Sequence, residues 1–466
     1  MVCKFAPAKM KPFALIVLLG LAVTACAPNP AIEVPGAARA ATGWEAVPAI
    51  LARIQAPQFP ARDFSITDYG AKGNGATDCT DAIAGAIAAC HAAGGGRVEV
   101  EDGVFLAGAV HLLSGVNLHI AEGATLRFLP DPKKFLPVVF TRFEGTECMN
   151  YSPLIYAFEQ ENIAVTGSGT LDGSGAQAWW GLRATAAGGG RAKLIEEGNR
   201  GVAAPERIFG DGGGLRPNFI QPCRCRNVLI EGVHITNSPM WEIHPLLCTN
   251  VTVRGVRISS HGPNNDGCDP ECSRDVLIEN CVFDTGDDCI AIKSGKNADG
   301  RRVNVPSENI IVRDCVMKDG HGGVVVGSEV SGGVRNVYAE NCKMDSTNLL
   351  RVLRLKSNAQ RGGAIENVFM RDVEVGHVRD AVLTIDLVYD GVRFGPYPPV
   401  VSNVFMERVT TAASPRVLDI VGTTNSVISN IHVEDCAFHG VRSEDILTHA
   451  GAIWTRNVIR EQSDGP

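Results

Sequence analysis

Short alternating runs of apolar residues recur along most of the chain and predict β-strands. Arg97–Val100 and Ile163–Val165 are early examples. From Asn227 the pattern becomes a repeat: an Asn or Asp, a four-residue β-type run, a polar or glycine corner, and a second short run. Copies begin at Asn227, Asn250, Asp275, Asn309, Asn336, Asn367, Asn403 and Asn430. Their spacing of 23 to 36 residues lies in the range that marks solenoid proteins.

The repeat favours one architecture over its competitors. The runs are too short and too rich in β-branched residues for helical repeats, and a propeller would show longer blades of paired antiparallel strands. We therefore predict an all-β, single-stranded parallel β-helix with Val, Ile, Leu and Cys ladders inside. Asx residues tolerate left-handed φ, so a repeated Asx at one corner also allows a side-chain ladder along the stack. Variable repeat lengths place the extra residues in turns on one face, where we expect a binding groove.

One clear helix is predicted, over Asp78 to Ala93, where apolar residues share a face and three glycines follow. A solenoid needs its open end covered, and this helix suits the role of an N-terminal cap. Residues 180–216 break the strand rhythm with two glycine triplets and many charges. We interpret them as a long surface loop or insertion.

The N-terminus has the features of an export signal. Lysines precede the apolar run Phe13–Val23, which is too short to span a bilayer comfortably. The run leads to Ala25-Cys26, which resembles a bacterial lipoprotein box and is followed by a Pro-rich stretch. An ordinary secretory signal, or a signal kept as an anchor, is the alternative. We expect Cys26 to be lipidated and the protein to be exported and anchored to the bacterial cell envelope, on its periplasmic face or at the cell surface.

These patterns divide the chain into three parts. Residues 1–25 are the predicted signal peptide, residues 26–62 an Ala- and Pro-rich tether, and residues 63–466 the β-helix domain. The tether is weakly patterned, with one short helix expected at about Trp44 to Ile54.

Charge and composition narrow the possible partners. The net charge of -8 argues against a nucleic-acid binder or a general binder of anionic membranes, so contact with the membrane is expected only through the lipid anchor. An anionic substrate must then meet a local basic patch. The 51 glycines and the 6% aromatic content indicate many tight turns and small side chains. We expect a monomer.

The cysteines do not form a disulfide pattern, although export favours one. Thirteen remain after Cys3 and Cys26, an odd number. Cysteines at equivalent repeat positions favour an inward-facing stack of thiols: Cys281, Cys315, Cys342 and Cys436. A bridge between Cys268 and Cys272 stays open, and no pairing with histidines suggests zinc.

Three aspartates and a histidine are the candidates for acid–base chemistry. Asp266, Asp287 and Asp288 lie next to short strands in successive repeats. Hydrolysis of a glycosidic bond needs a proton donor and a base for water, and clustered carboxylates supply both because like charges raise the pKa of at least one. Calcium binding or solvated turns are the alternatives. His321, between glycines, is free to face a groove and hydrogen-bond an acidic Asp, but it also suits a simple turn.

Cations follow the aspartates along the chain. Arg354 and Lys356 alternate in a strand and therefore share a face, which suits a substrate that bears carboxylates. A solvated outer face is the alternative. Lys293 adds to the positive field after the Asp pair. Tyr389 and Trp241 offer faces for sugar stacking, although aromatic residues in strands more often pack in the core.

Together these short motifs resemble the glycoside hydrolases of family 28, the polygalacturonase family. The four motifs, in the order and spacing of that family, are Asn264-Asn265-Asp266-Gly267, Gly286-Asp287-Asp288, Gly320-His321-Gly322 and Arg354-Leu355-Lys356. Each motif alone is weak, but four in order on a β-solenoid are specific. The resemblance covers the chain from Phe64 to the C-terminus.

The resemblance implies a right-handed parallel β-helix that cleaves with inversion and needs neither a metal nor another cofactor. It assigns Asp287 as the general acid, with His321 supporting it. It assigns Asp266 and Asp288 to the activation of water.

The resemblance also implies substrate contacts. Arg354 and Lys356 would hold a galacturonate carboxylate in the subsite beyond the scissile bond, with Asn264, Lys293 and Tyr389 as further contacts. An asparagine, Asn265, stands where the family usually has threonine, and we expect it to tune activity rather than abolish it. The Arg-x-Lys pair favours polygalacturonate over rhamnogalacturonan.

The predicted function is inverting hydrolysis of α-1,4-galacturonosidic bonds in polygalacturonate and pectic oligosaccharides. Exo action is favoured because the stretch 180–216 can close one end of a groove. Three alternatives stay open: a Ca²⁺-dependent pectate lyase, a hydrolase of rhamnogalacturonan or xylogalacturonan, and a non-catalytic glycan-binding solenoid.

Overall fold

The computed structural model describes residues 43–186 and 189–462, apart from the side chains of residues 185 and 186. Within these ranges the strands wind into a right-handed parallel β-helix, which confirms the predicted fold. The predicted signal peptide, Cys26 and the tether up to residue 42 lie outside the described residues. None of the described helices is long and apolar enough to cross a membrane.

Successive turns of the chain contribute strands to three faces. The first face contains Asp63–Ser65, Gly96–Val100, Val116–Ile120, Glu161–Gly167, Arg226–Glu231, Thr249–Arg254, Arg274–Glu279, Ser307–Arg313, Val334–Glu340, Ala364–His377, Val400–Ala413, Val427–Glu434 and Ile453–Arg456. The second face contains the ends of the two longest of these strands and Asn74–Asp78, Gly103–Ala107, Ala124–Phe128, Thr170–Asp172, His234–Thr236, Arg257–Ser260, Val282–Thr285, Val316–Met317, Lys343–Met344, Ala437–Val441 and Ile459–Gln462. The third face contains Val110–His111, Ile155–Phe158, Ile220–Cys223, Ile290–Ile292, Val324–Val326, Arg351–Lys356, Ala381–Asp386, Arg416–Val421 and Ile446–Thr448.

Helices and one hairpin decorate this coil. The α-helices are Val47–Leu51, Thr80–Ala92, Gly175–Ala178, Leu182–Ala186, Gly190–Asn199 and Asn297–Val303. The 3₁₀ helices are Trp44–Ala46, Ile66–Tyr69, Pro132–Phe135, Ala204–Glu206 and Tyr389–Gly391. The hairpin pairs Val139–Phe143 with Thr146–Asn150 in antiparallel register.

The core consists of apolar residues stacked in register. Val251, Val276, Ile310 and Val337 occupy one position on consecutive turns, and all four are fully buried. A slip of one residue would turn such a set towards solvent, so the alternation seen in the sequence fixes the register of each turn.

The repeated Asx residues form the ladder that the repeat predicts. Asn309, Asn336, Asn367 and Asn403 all have φ of 59°. The side-chain Nδ2 of each member donates to the side-chain Oδ1 of the preceding member at 2.8–3.0 Å. These bonds run from Asn336 to Asn309, from Asn367 to Asn336 and from Asn403 to Asn367. Asn tolerates left-handed φ, so the same residue type both turns the chain and ties neighbouring turns together.

The N-terminal elements pack against the coil. The helix Thr80–Ala92 buries one face in the main core beside Asp63–Ser65 and Gly96–Val100, as predicted for a cap. The short helix Val47–Leu51 lies on the outside of the first face and packs, with its neighbours, on apolar residues that include Leu277 and Tyr338.

The described cysteines are all buried and free, including Cys268 and Cys272. Cys315 lies between Cys281 and Cys342, whose thiols contact it. The predicted thiol stack is therefore present for Cys281, Cys315 and Cys342, whereas two turns with valine, Val373 and Val409, separate Cys436 from them.

Residues 180–216 form helices rather than an extended loop. Leu182–Ala186, Gly190–Asn199 and Ala204–Glu206 fall within this stretch. In the longest, Gly190–Asn199, only Leu194 and Gly198 are buried. So few inward-facing residues leave almost no periodic signal, which explains why the sequence did not predict the helix.

Candidate active site

The motifs meet at one corner of the coil, where the chain enters the third face. Cys268, Ile290 and Val324 pair on consecutive turns. Asp266 and Asp288 each precede their strand position by two residues, so the register brings the two carboxylates together. Successive repeats thus stack as predicted for a parallel β-helix, and they place the short motifs side by side.

The two adjacent aspartates point to different surroundings. The Asp287 side chain is 19% exposed and lines a cavity, whereas Asp288 is completely buried. A side chain at Gly286 would place its Cβ 2.6 Å from the carbonyl oxygen of Gly262, so the bend before the pair requires glycine. Asp266 is also buried, and one carboxylate oxygen from each of the three aspartates lies within 4.8 Å of the others.

His321 faces the cavity and contacts Asp287. Its Nδ1 lies 2.9 Å from Oδ1 of Asp287, and this hydrogen bond raises the pKa of His321. Burial opposes ionisation of Asp287, but the hydrogen bond from His321 and the charges of His321 and Lys356 lower the pKa of Asp287 to about 2. The two residues therefore form an ion pair that holds one proton.

Asp266 shows the opposite shift. Burial, together with the negative charges of Asp269 and Asp287, raises the pKa of Asp266 well above its usual range. The prediction that clustering raises at least one carboxylate pKa holds, but Asp266 is the residue affected rather than Asp287.

The two predicted substrate-binding cations are close to the aspartates. Nζ of Lys356 lies 2.6 Å from Oδ2 of Asp288, and Nη1 of Arg354 lies 3.9 Å from Oδ1. Both cations also lie over the ring of Tyr389, at 5.6 Å for Arg354 and 5.4 Å for Lys356. Arg354, Lys356 and Tyr389 all line the cavity.

Lys293 lies beneath the cavity rather than along it. Its side chain is 3% exposed and its Nζ is 3.5 Å from Asp266 and 3.6 Å from Glu329. The ammonium also lies 4.4 Å from the centre of the buried Trp241 ring. The structure thus gives both residues supporting positions under the aspartates, away from where a sugar would stack.

The cavity has a volume of about 520 Å³ and carries an excess of positive charge. Its lining residues are Phe143, Glu144, Arg183, Arg191, Arg216, Asn264, Asp287, His321, Arg354, Lys356 and Tyr389. Five of these are Arg or Lys and two are acidic, in a chain whose net charge is -8. A positive concave site focuses the field on anionic ligands.

Several lining residues were not identified from the sequence. Glu144 belongs to the hairpin turn Glu144-Gly145, where both residues have positive φ. That dipeptide between two β-type runs was a usable signal. Arg183, Arg191 and Arg216 all come from the 180–216 stretch, for which the sequence predicts a surface loop or insertion but no site residue.

Comparisons with known proteins agree with this arrangement. Residues 208–452 match the sequence profile of Glycosyl hydrolases family 28. The chain is 28% identical over 323 residues to a probable polygalacturonase of Vitis vinifera, covering 67% of this chain and 60% of that protein. It is 28% identical over 352 residues to an exo-poly-alpha-D-galacturonosidase of Dickeya chrysanthemi, covering 70% and 57%. The chain thus spans less than two thirds of the length of these two relatives.

Among solved structures, a hyperthermoactive exopolygalacturonase from Thermotoga maritima superposes with a TM-score of 0.87 and 45% sequence identity. The match covers 90% of this chain and 96% of that one. The profile match includes the turns that carry the aspartates, His321, Arg354 and Lys356. The chain belongs to glycosyl hydrolase family 28.

Proposed function

We propose that this protein hydrolyses α-1,4-galacturonosidic bonds in polygalacturonate and its oligosaccharides. The observation that carries the proposal is the cavity itself, which sets the Asp287–His321 pair beside Arg354, Lys356 and three further arginines. Carboxylates on a uronic acid chain complement that charge. The relatives named as polygalacturonases support the same substrate class.

Asp287 is the group placed to protonate the leaving oxygen, since it is the most exposed of the three aspartates. The pair with His321 holds one proton across the 2.9 Å contact. Transfer of that proton from Nδ1 to Oδ1 leaves a neutral imidazole and a neutral carboxylic acid. The acid then donates the proton to the glycosidic oxygen as the bond to the anomeric carbon breaks.

Asp266 and Asp288 are placed to activate a water molecule. Asp288, which Lys356 contacts at 2.6 Å, serves as the base, and Asp266, whose pKa burial raises, positions the water molecule beside Lys293. Water adds to the anomeric carbon and its proton passes to the carboxylate base. Both carboxylates are too buried to attack a sugar in the cavity directly, which favours inversion.

The separation of the carboxylates is unusual for inversion. Their nearest oxygens lie within 4.8 Å, whereas inverting enzymes more often show about 6.5–9.5 Å and retaining enzymes about 5–5.5 Å. The burial of Asp266 and Asp288 favours inversion all the same, because neither carboxylate is exposed enough to reach a sugar in the cavity. The stereochemistry of the first product tests the choice.

Exo action is part of the proposal. Arg183 and Arg191 come from Leu182–Ala186 and Gly190–Asn199, and Phe143 and Glu144 from the hairpin, so added segments wall the cavity. A walled cavity suits a chain end better than a chain interior. The name of the Thermotoga maritima relative supports the same mode.

The deciding experiment uses EDTA-treated protein with polygalacturonic acid and galacturonate oligomers, separated by size and read for reducing ends and unsaturation. Saturated monomer or dimer from the first time point is expected. A ladder of mixed oligomers would contradict exo action, and no cleavage of either substrate would contradict the function.

A calcium-dependent lyase is the competing activity, because Asp266, Asp287 and Asp288 are grouped closely enough to hold a metal ion. However, Lys356 lies 2.6 Å from Asp288 and Lys293 lies 3.5 Å from Asp266, so cations of the chain already contact two of the three aspartates. The unsaturation measurement above separates the two activities directly.

We also propose that Cys26 anchors the mature protein to the cell envelope as a monomer. The support is the sequence pattern around Cys26. Mass spectrometry of the N-terminal peptide should find a diacylglycerol-modified cysteine, and Cys26→Ser should release the protein from membranes. Sedimentation of a form that starts after Cys26 tests the monomer.

A further inference from the structure

Arg216 is a buried cation with only neutral partners. It is 3% exposed, and its guanidinium donates to the carbonyl oxygens of Pro239 at 2.7 Å and Pro263 at 2.5 Å and to Oδ1 of Asn264 at 2.7 Å. Among the described residues, no carboxylate forms an ion pair with it. Burying a charge without a counter-ion is costly, so this position favours an anion in the cavity.

A second cation lies beside it. Arg183, on the helix Leu182–Ala186, is exposed, lines the same cavity and likewise has no ion-pair partner among the residues described. Burial, and next the positive charge of Arg183, lower the pKa of Arg216 to about 10. Arg191 differs from both, because it is paired with Glu144 at 2.7 Å. Two cations therefore line one cavity, and neither forms an ion pair with a described residue.

These cations lie on the other side of Asp287 from Arg354. Ile220, Ile243, Cys268 and Ile290 pair in sequence on consecutive turns, so Arg216 belongs to a turn three steps before that of Asp287. Arg354 belongs to a turn two steps after it. The general acid is thus flanked by two cationic groups along the axis of the coil.

We propose that Arg183 and Arg216 bind the carboxylate of the non-reducing residue, on the opposite side of the scissile bond from the uronate held by Arg354 and Lys356. This inference rests on the proposed function and deepens it. The site then binds the carboxylates of two consecutive uronates. A methyl ester on the terminal residue removes the negative charge that Arg183 and Arg216 bind, so such a substrate should bind more weakly. Hydrogen bonds to two carbonyl oxygens fix the guanidinium of Arg216. Arg183 is the exposed cation of the pair and binds the same carboxylate from the solvent side.

The test is a binding cycle that does not depend on turnover. The full chain carrying Asp287→Asn is titrated calorimetrically with digalacturonate and with the same dimer methyl-esterified only on its non-reducing residue. Arg183→Gln is then added in the same background. We expect Arg183→Gln to weaken binding of digalacturonate about tenfold and to leave binding of the monoester unchanged.

Arg200→Gln is the matched control, since Arg200 lies in the same insertion, is 68% exposed and pairs with Glu196 outside the cavity. It should weaken neither ligand. Arg183→Lys should restore part of the lost affinity because a single cation remains.

Equal losses on both ligands, or no loss on either, would overturn the inference. The inference would also be overturned if the loss of affinity in Arg183→Gln depended on a methyl ester at the reducing residue instead of the non-reducing one. A wild-type protein without hydrolytic activity would sink the proposed function alone, since the binding cycle still decides the role of Arg183. Absence of digalacturonate binding would overturn both.

Discussion

Nζ of Lys356 lies 2.6 Å from Oδ2 of Asp288, and Asp288 is completely buried. A lysine that lines the cavity is thus also the direct partner of a carboxylate proposed to activate water. Its loss should affect chemistry and folding as well as substrate affinity.

Replacement of Lys356 by methionine tests this double role. We expect kcat to fall about 100-fold or more, because the base loses the cation that orients it. The free energy of unfolding should fall by about 3–5 kcal/mol, since a buried carboxylate loses its closest counter-ion. Steady-state kinetics and denaturant titration measure both.

Lys343→Met is the control for that experiment. Lys343 is 68% exposed and pairs with an exposed Glu374, so its loss should change unfolding by less than about 0.5 kcal/mol and leave turnover intact. If Lys356→Met raised KM while kcat and stability stayed normal, Lys356 would be a substrate contact only.

The Asp287–His321 pair predicts the pH dependence of turnover. The pair carries its proton until pH rises through the pKa of His321, which the hydrogen bond with Asp287 raises above 6.5. We expect activity to decline only above that pH. In His321→Gln only the Asp287 carboxyl can hold the proton. The alkaline limb of the pH–activity profile should therefore move to lower pH, and kcat at pH 6 should fall about 100-fold.

His377→Gln provides the comparison, because His377 contacts Asp345 at 3.0 Å but is not among the residues lining the cavity. Its pH profile should match that of the wild type. An unchanged alkaline limb in His321→Gln would remove His321 from the proton path.

Asp287→Asn should lower kcat by about 10²- to 10⁴-fold, since the amide has no proton to give. Proton NMR during the first turnovers of the wild type should show a β-anomer released from the α-linked substrate. An α-anomer as the first product would mean retention and a nucleophilic Asp266 or Asp288.

Chelation separates hydrolysis from elimination. Because Lys356 and Lys293 neutralise the aspartates, we expect EDTA to leave turnover within about twofold of the untreated enzyme. Product absorbance near the ultraviolet band of unsaturated uronates should stay flat. Loss of activity that calcium restores would favour the lyase.

Glu242 should make stability fall as pH rises. Burial raises the pKa of this carboxyl well above its usual 4.5, so the folded protein binds a proton that the unfolded chain releases. Stability is therefore greatest below about pH 4.5 for this group and declines above it. Glu242→Gln should flatten the decline in thermal melts from pH 5 to 8, whereas Glu196→Gln, at a 69% exposed position, should not.

The sequence predicted the β-helix because register and side-chain alternation are local properties. Each repeat forms one turn of the coil, so equivalent positions of consecutive repeats lie side by side. The Asx ladder through Asn336 and the proximity of Asp266 to Asp288 both follow from this. The motif order then identified the residues around the centre of the site.

The walls of the cavity were harder to predict. Arg183 and Arg216 reach the cavity because an insertion with little apolar periodicity packs over the coil. The repeat pattern carries no information about that packing, so it could not predict that the two arginines line one cavity. Burial accounts for two further differences. Lys293 lies beneath the site, and the pKa of Asp266 is raised, whereas the pKa of Asp287 is lowered by His321.

The Asn ladder has a consequence for how such a protein can change. Ladder neighbours are separated by as few as 23 residues, between Asn227 and Asn250, and as many as 65, between Asn162 and Asn227, yet the side-chain bonds are equivalent at 2.7 and 2.8 Å. The ladder is thus kept while the segments between its successive residues differ in length. Segments such as Leu182–Asn199 can therefore be lengthened, removed or exchanged between relatives without disturbing the stack, so specificity and stability can evolve almost independently.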